Sequence, residues 1–122
     1  MPKKQTPKSS QFRARNGKGM ELLTTELLKV LPLPDAVANP NDPMVFAKLF
    51  LAIGSWTMWV TSYDPKSRLL FGVVDHIEVE YGPVPIDELL KFTDFDGSLG
   101  FERSTSFSAR PLTQCIKRSK AS

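Results

Sequence analysis

The sequence predicts an α+β fold: an antiparallel β-sheet of about four to five strands with two short covering helices. Three observations carry this reading. Two stretches with helical features, Glu21–Leu31 and Pro85–Phe92, flank a central region rich in aromatic and β-branched residues. Within that region, Asp64-Pro65-Lys66-Ser67 separates two apolar runs in the manner of a hairpin turn. The seven glycines and ten prolines fall mostly between these stretches, where they punctuate elements.

Each element has its own justification. In Glu21–Leu31 (ELLTTELLKVL), Leu23, Leu27 and Val30 or Leu31 form one apolar stripe, the spacing of an amphipathic helix. Thr24 or Thr25 serves as N-cap, Glu26 suits the positive end, and Pro32 and Pro34 stop the helix. Residues 32–43, with four prolines, read as a semi-rigid loop. Met44–Ala52 (MVFAKLFLA) has Lys48 as its sole polar residue and reads as a strand buried on both faces. Gly54-Ser55 breaks it. Trp56–Tyr63 and Leu69–Val74 then form the hairpin: Asp64 suits the first turn position, and Pro65 pre-sets the second. Trp56 and Trp59 have opposite strand parity, so they point to opposite faces.

Beyond the hairpin, Ile77, Val79 and Tyr81 alternate with Glu78 and Glu80. Period two places the apolar side chains on one face and both carboxylates on the other, a half-solvated strand antiparallel to its neighbour. Gly82-Pro83 reads as the turn that ends it. Pro85–Phe92 (PIDELLKF) follows as a short helix, with Asp87 and Glu88 at its positive end and Ile86, Leu89 and Leu90 facing inward. Phe101–Phe107 reads as a final edge strand, and Pro111 ends it.

Charge is unevenly spread over the 122 residues, whose formal net charge is +3. Residues 1–19 hold six bases (Lys3, Lys4, Lys8, Arg13, Arg15 and Lys18) and no acid. Residues 20–112 hold all 13 acids against seven bases, so the body carries −6. Residues 113–122 add Lys117, Arg118 and Lys120. The predicted organisation is therefore a disordered basic tail (1–19), a single α+β domain (20–112) and a basic C-terminal tail (113–122). One cysteine, Cys115, excludes a disulfide framework within the chain, and with one histidine, His76, it excludes the common zinc clusters. No apolar run approaches the roughly 20 residues that span a bilayer. Phe12 is the sole large apolar residue of 1–19 after Met1, which predicts no secretory leader and a cytoplasmic chain.

Several segments together resemble one family. They are Met20-Glu21-Leu22-Leu23-Thr24, Ala47-Lys48-Leu49-Phe50, Trp56 and Trp59 ahead of Tyr63-Asp64-Pro65, and Phe71-Gly72-Val73-Val74-Asp75. Glu78-Val79-Glu80-Tyr81-Gly82, Asp87-Glu88-Leu89, Leu99-Gly100-Phe101-Glu102-Arg103, Phe107 and Pro111-Leu112 extend the likeness. Over about residues 20–112 the chain is similar to small bacterial proteins grouped as domain of unknown function 2958, carried largely on plasmids, conjugative elements and phages. The resemblance implies a bacterial cytosol and a mobile-DNA setting, and it implies no particular reaction. Pro85 stands where the family usually has a serine opening the second helix.

Three functional readings follow. The leading one is a non-enzymatic accessory protein of a mobile element that binds DNA or a DNA-processing protein. In it Lys3, Lys4, Lys8, Arg13, Arg15 and Lys18 give salt-sensitive, nonspecific affinity for phosphates, with no cofactor. The second uses an acidic sheet face, Asp75, Glu78 and Glu80, as a partner-binding surface that inhibits host restriction or defence by occupying a basic groove. The third is a metal-dependent enzyme using Glu78, Glu80 and Asp75, since Glu78 and Glu80 lie about 6.5–7 Å apart along one strand face. Acidic nuclease sites generally add a lysine on the same strand, and none follows Glu78 or Glu80. The aromatics Phe46, Phe50, Trp56, Trp59, Tyr63 and Phe71 read as core rather than as a base-stacking platform, because few bases are interleaved with them. His76 reads as a turn residue. Lys117 and Arg118 beside Cys115 favour its thiolate. Asp94-Phe95-Asp96-Gly97 lacks the further ligands of a calcium loop.

Overall fold

Alternation and turn chemistry produce the expected sheet. The structure, a computed structural model, describes residues 9–15, 19–51, 53–92 and 97–116. In chain order its helices and strands are α1 (Thr25–Val30), β1 (Met44–Val45), β2 (Ala47–Leu51), β3 (Thr57–Asp64), β4 (Leu69–Asp75), β5 (Val79–Pro85), α2 (Ile86–Lys91), β6 (Phe101–Arg103) and β7 (Arg110–Pro111). Short 3-10 turns occupy Ser9–Phe12, Pro34–Ala36 and Leu112–Gln114. Five strands form one antiparallel sheet in the order β5-β4-β3-β2-β6, a meander with β6 added beside β2. This is the predicted α+β architecture.

The hairpin turn is built by Asp64. Its carboxylate accepts from the Lys66 amide at 3.0 Å and from the Ser67 hydroxyl at 2.8 Å, and its carbonyl accepts from the Arg68 amide at 2.8 Å. Arg68 closes the turn at φ 58°, a left-handed conformation that a side chain adopts only under constraint. The constraint is visible. Its guanidinium donates twice to Asp87 on α2, both bonds at 2.8 Å, and lies 5.0 Å over the Phe12 ring. Gly72 on β4 is required by contact: a Cβ there would sit 2.0 Å from the Trp59 carbonyl oxygen.

The core lies on one face of the sheet. Leu49, Met58, Val60 and Leu70 meet Leu22 and Leu23 from the entering chain and Ile86, Leu89 and Leu90 from α2. The α1 helix is shorter than its periodic stretch: Thr24 caps it by accepting from the Leu27 amide at 3.1 Å, so Leu22 and Leu23 are buried ahead of it. Met44–Ala52 is not one strand buried on both faces. Its first part pairs with β7 in a separate two-stranded sheet, and along β2 Ala47 and Leu49 are buried while Lys48 and Phe50 are only half-buried.

Phe12 corrects the tail reading. It is 1% exposed and meets Tyr63 edge-on at 5.9 Å. The Leu22 amide donates to the Phe12 carbonyl, the Ala14 amide to Met20 and the Arg15 amide to Leu90, each at 2.8 Å. Burial of the Phe12 ring and of Ala14, together with these backbone hydrogen bonds, orders a short segment whose average composition is polar. Thr113 likewise belongs to the fold, donating from its amide and its hydroxyl to Asp42 at 3.0 Å each. Lys3, Lys4, Lys8, Lys18, Lys117, Arg118 and Lys120 lie outside the described residues, as do Asp94 and Asp96.

The β5 strand also departs from expectation, running through Gly82-Pro83 instead of turning there. The Ile86 amide donates to the Arg68 carbonyl at 3.0 Å and the His76 amide to the Glu78 carbonyl at 3.1 Å. Between these ends, pairs alternate, so Val84, Gly82 and Glu80 are the hydrogen-bonded positions against β4. Pro83 and Pro85 fall where an N–H would face away from β4, the place an edge strand tolerates proline. Pro85 caps α2 without a side-chain hydrogen bond, and the Ile86 amide is satisfied by Arg68 instead.

Two outcomes test this account. Phe12→Ala lowers stability by about 3–5 kcal/mol, the usual cost of removing a buried aromatic, read by chemical denaturation. Hydrogen bonds from Arg68 hold the Asp87 carboxyl below its ordinary value, so the pair stabilises above the unfolded carboxyl value near 3.9 and is lost as pH falls through the lowered folded value. Asp87→Asn therefore costs under about 1 kcal/mol at pH 7, because the pair is solvent-exposed. That cost shrinks in denaturation curves as pH falls through the lowered Asp87 carboxyl value.

Candidate functional site

Strand pairing decides which side chains share a face. Met58 pairs with Val74 and Val74 with Glu80, so Glu80 projects on the core face of the sheet. Val73 pairs with Tyr81 and Asp75 with Val79, so Asp75, Val79 and Tyr81 project on the opposite face. The sequence-predicted trio is thus divided. Glu78 and Glu80 come together, and Asp75 lies on the other side of the sheet.

Between α2 and β5, the core face opens into a cleft of about 570 Å³. Trp56, Phe92 and Phe101 line it, with Glu80 from β5 and Glu88 from α2. A second hollow of about 310 Å³ lies beside it, lined by Trp56, Val74, His76, Ile77, Glu78 and Glu80. The two share Trp56, Val74 and Glu80 and so form one groove along the flank of β5. Phe101 meets Trp56 at 4.9 Å and Phe92 at 5.1 Å, both edge-to-face. Three carboxylates border the groove, and among its described lining residues none is lysine or arginine.

This combination has a definite chemistry. Aromatic faces carry negative partial charge, and the carboxylates add full charges beside a surface that partly excludes water. The groove therefore suits a cationic group with an apolar stem, the form of an arginine or lysine side chain. Glu88 was not among the sequence candidates; it reaches the groove from a separate element, and no spacing relates it to Glu80. Trp56, read as core, is half-buried and forms the junction of the two hollows.

The other candidates have different surroundings. On the opposite face Trp59 packs against Phe107 at 6.0 Å, Lys48 lies 5.3 Å over Trp59, and Arg110 lies 4.8 Å over Phe107. There the Trp59 and Phe107 rings are half-buried, each with one basic side chain over it. Arg13 is paired with Glu21 at 3.2 Å and donates to the Gly19 carbonyl at 2.8 Å, while Arg15 is exposed. Burial pushes the Cys115 thiol above its ordinary value, outweighing the Arg110 charge, and its S–H donates to the Pro111 carbonyl at 3.6 Å. The thiolate expected from neighbouring bases is therefore disfavoured. Among the described residues no group of three or more His, Cys, Asp or Glu could hold a metal ion, and no helix is long and apolar enough to cross a membrane.

Fold and groove define an α+β module with an acidic, aromatic channel along one sheet edge. Residues 22–122 match the family described as "Protein of unknown function (DUF2958)", and the chain belongs to that family. No curated protein and no solved structure matches the chain.

The electrostatics of the groove can be read directly. With Trp59→Phe leaving Trp56 as the remaining tryptophan, and each quenching constant normalised to its value on free N-acetyltryptophanamide, caesium quenches its fluorescence relatively more than iodide at low ionic strength. Adding Glu80→Gln and Glu88→Gln brings the two normalised constants together.

Proposed function

We propose that the protein is a non-enzymatic accessory factor of a bacterial mobile genetic element, acting in the cytoplasm by binding a basic segment of a DNA-processing protein. The observation that carries this reading is the groove in which Glu78, Glu80 and Glu88 border an aromatic floor of Trp56, Phe92 and Phe101. Rim carboxylates speed encounter with a basic surface, and a desolvated aromatic pocket slows its escape. An arginine entering the groove lays its stem along the rings and presents its planar fork to Glu80 or Glu88. The mobile-element setting comes from the family resemblance. The metal-enzyme alternative loses support because Asp75 lies across the sheet from Glu80.

Affinity capture from a bacterial lysate tests the proposal, with and without nuclease, using the native chain and a Glu78→Lys, Glu80→Lys double variant. Capture of a basic DNA-processing protein is expected to survive nuclease and to fall at least about tenfold with the double variant. Capture that is abolished by nuclease and indifferent to charge reversal would instead assign binding to DNA held by the basic N-terminal residues, and would remove the groove from the account.

A further inference from the structure

The β5 strand is an edge of the main sheet, and among the described residues no strand pairs with its outer side. The hydrogen-bond phase against β4 determines what that side offers. Because Glu80, Gly82 and Val84 are bonded inward, the amides of Val79 and Tyr81 and the carbonyls of Val79, Tyr81 and Pro83 point outward. Pro83 has no amide, so the open ladder stops there. The side chains along this edge are also unusual for a free edge. Ile77 is 88% exposed and Val79 and Tyr81 are each 56% exposed, while Glu78 and Glu80 stand over the groove on the other flank.

Resting on the binding reading above, we infer that the partner segment is recognised by strand addition: an extended peptide pairs with Val79–Pro83 and places alternate basic side chains in the groove. An added strand alternates its side chains between the two faces, with successive same-face residues about 6.5–7 Å apart. Residues on the groove side then meet Glu78, Glu80 and Glu88, with Trp56 as the floor. Residues on the far side cover Val79 and Tyr81. The matching sequence alternates basic with apolar residues. Charge selects this occupant over a second copy of the chain, whose own β5 would bring another Glu78 and Glu80 to the same flank.

The probe is a short acetylated peptide alternating arginine and valine, compared with its glutamate-for-arginine counterpart. Two N-methylated forms are added, each blocking one alternate set of amides. In an added strand only one alternate set of amides faces β5. Binding to the full chain is followed by Trp56 fluorescence in the Trp59→Phe variant and by amide hydrogen exchange of the native protein. The arginine–valine peptide is expected to bind and to protect the Val79 and Tyr81 amides. The glutamate peptide is not. One N-methylated form is expected to bind at least about tenfold more weakly, and the other to bind nearly as well as the parent.

Equal binding of both N-methylated forms, without protection of Val79 and Tyr81, would overturn strand addition while leaving the acidic groove as the binding site. No response of Trp56 to any arginine peptide would overturn the groove reading itself. Concentration-dependent protection of the same amides in the free protein, with dimer in sedimentation, would assign the edge to a second copy and overturn the proposed partner.

Discussion

The pairing of β5 with β4 is the constraint on which the functional surface depends. One register fixes three things at once: the face each β5 side chain takes, the backbone groups left pointing outward, and the positions at which proline is admissible. A slip of one residue would carry Glu80 to the far face and bring Tyr81 over Trp56, and would ask Pro83 for an amide it lacks. The carboxylates stand beside an aromatic floor because the hydrogen-bond ladder permits no other phase.

That register is secured at its far end by contacts among distant parts of the chain. Arg68 leaves the hairpin in a left-handed conformation, ties α2 through Asp87, covers Phe12, and accepts the first α2 amide through its carbonyl. The ion pair itself is worth little at a solvent-exposed position. Its importance is geometric: it joins turn, helix and N-terminal segment at one residue, so the helix that supplies Glu88 is placed relative to the strand that supplies Glu80.

Much of the fold was legible because its signals are local. The Asp64 turn, the Thr24 cap, the opposite facing of Trp56 and Trp59 and the alternation around Val79 each depend on neighbours in sequence. What was not legible depends on pairing across the chain. Alternation separates Glu80 from Val79, but only the partner strand says that the carboxylate side is the core side. Asp75 sits close to Glu78 in sequence, yet the turn at residues 76–78 pairs it with Val79 and removes it from the group. Phe12 was concealed by the basic residues around it, since average polarity describes a segment and burial is decided by one ring. Glu88 had no signal at all, because its approach to Glu80 follows from how α2 leaves the sheet.

The prolines of β5 have one further consequence. An exposed strand edge with large apolar side chains is a template for sideways growth, and repeated pairing of such edges is how fibrils extend. By withholding amides at 83 and 85, the edge leaves a ladder only two donors long. A ladder of that length can hold a short guest that brings its own charges, and it is too brief to propagate. Colloidal stability at high protein concentration thus rests on the same two rings that bound the docking edge.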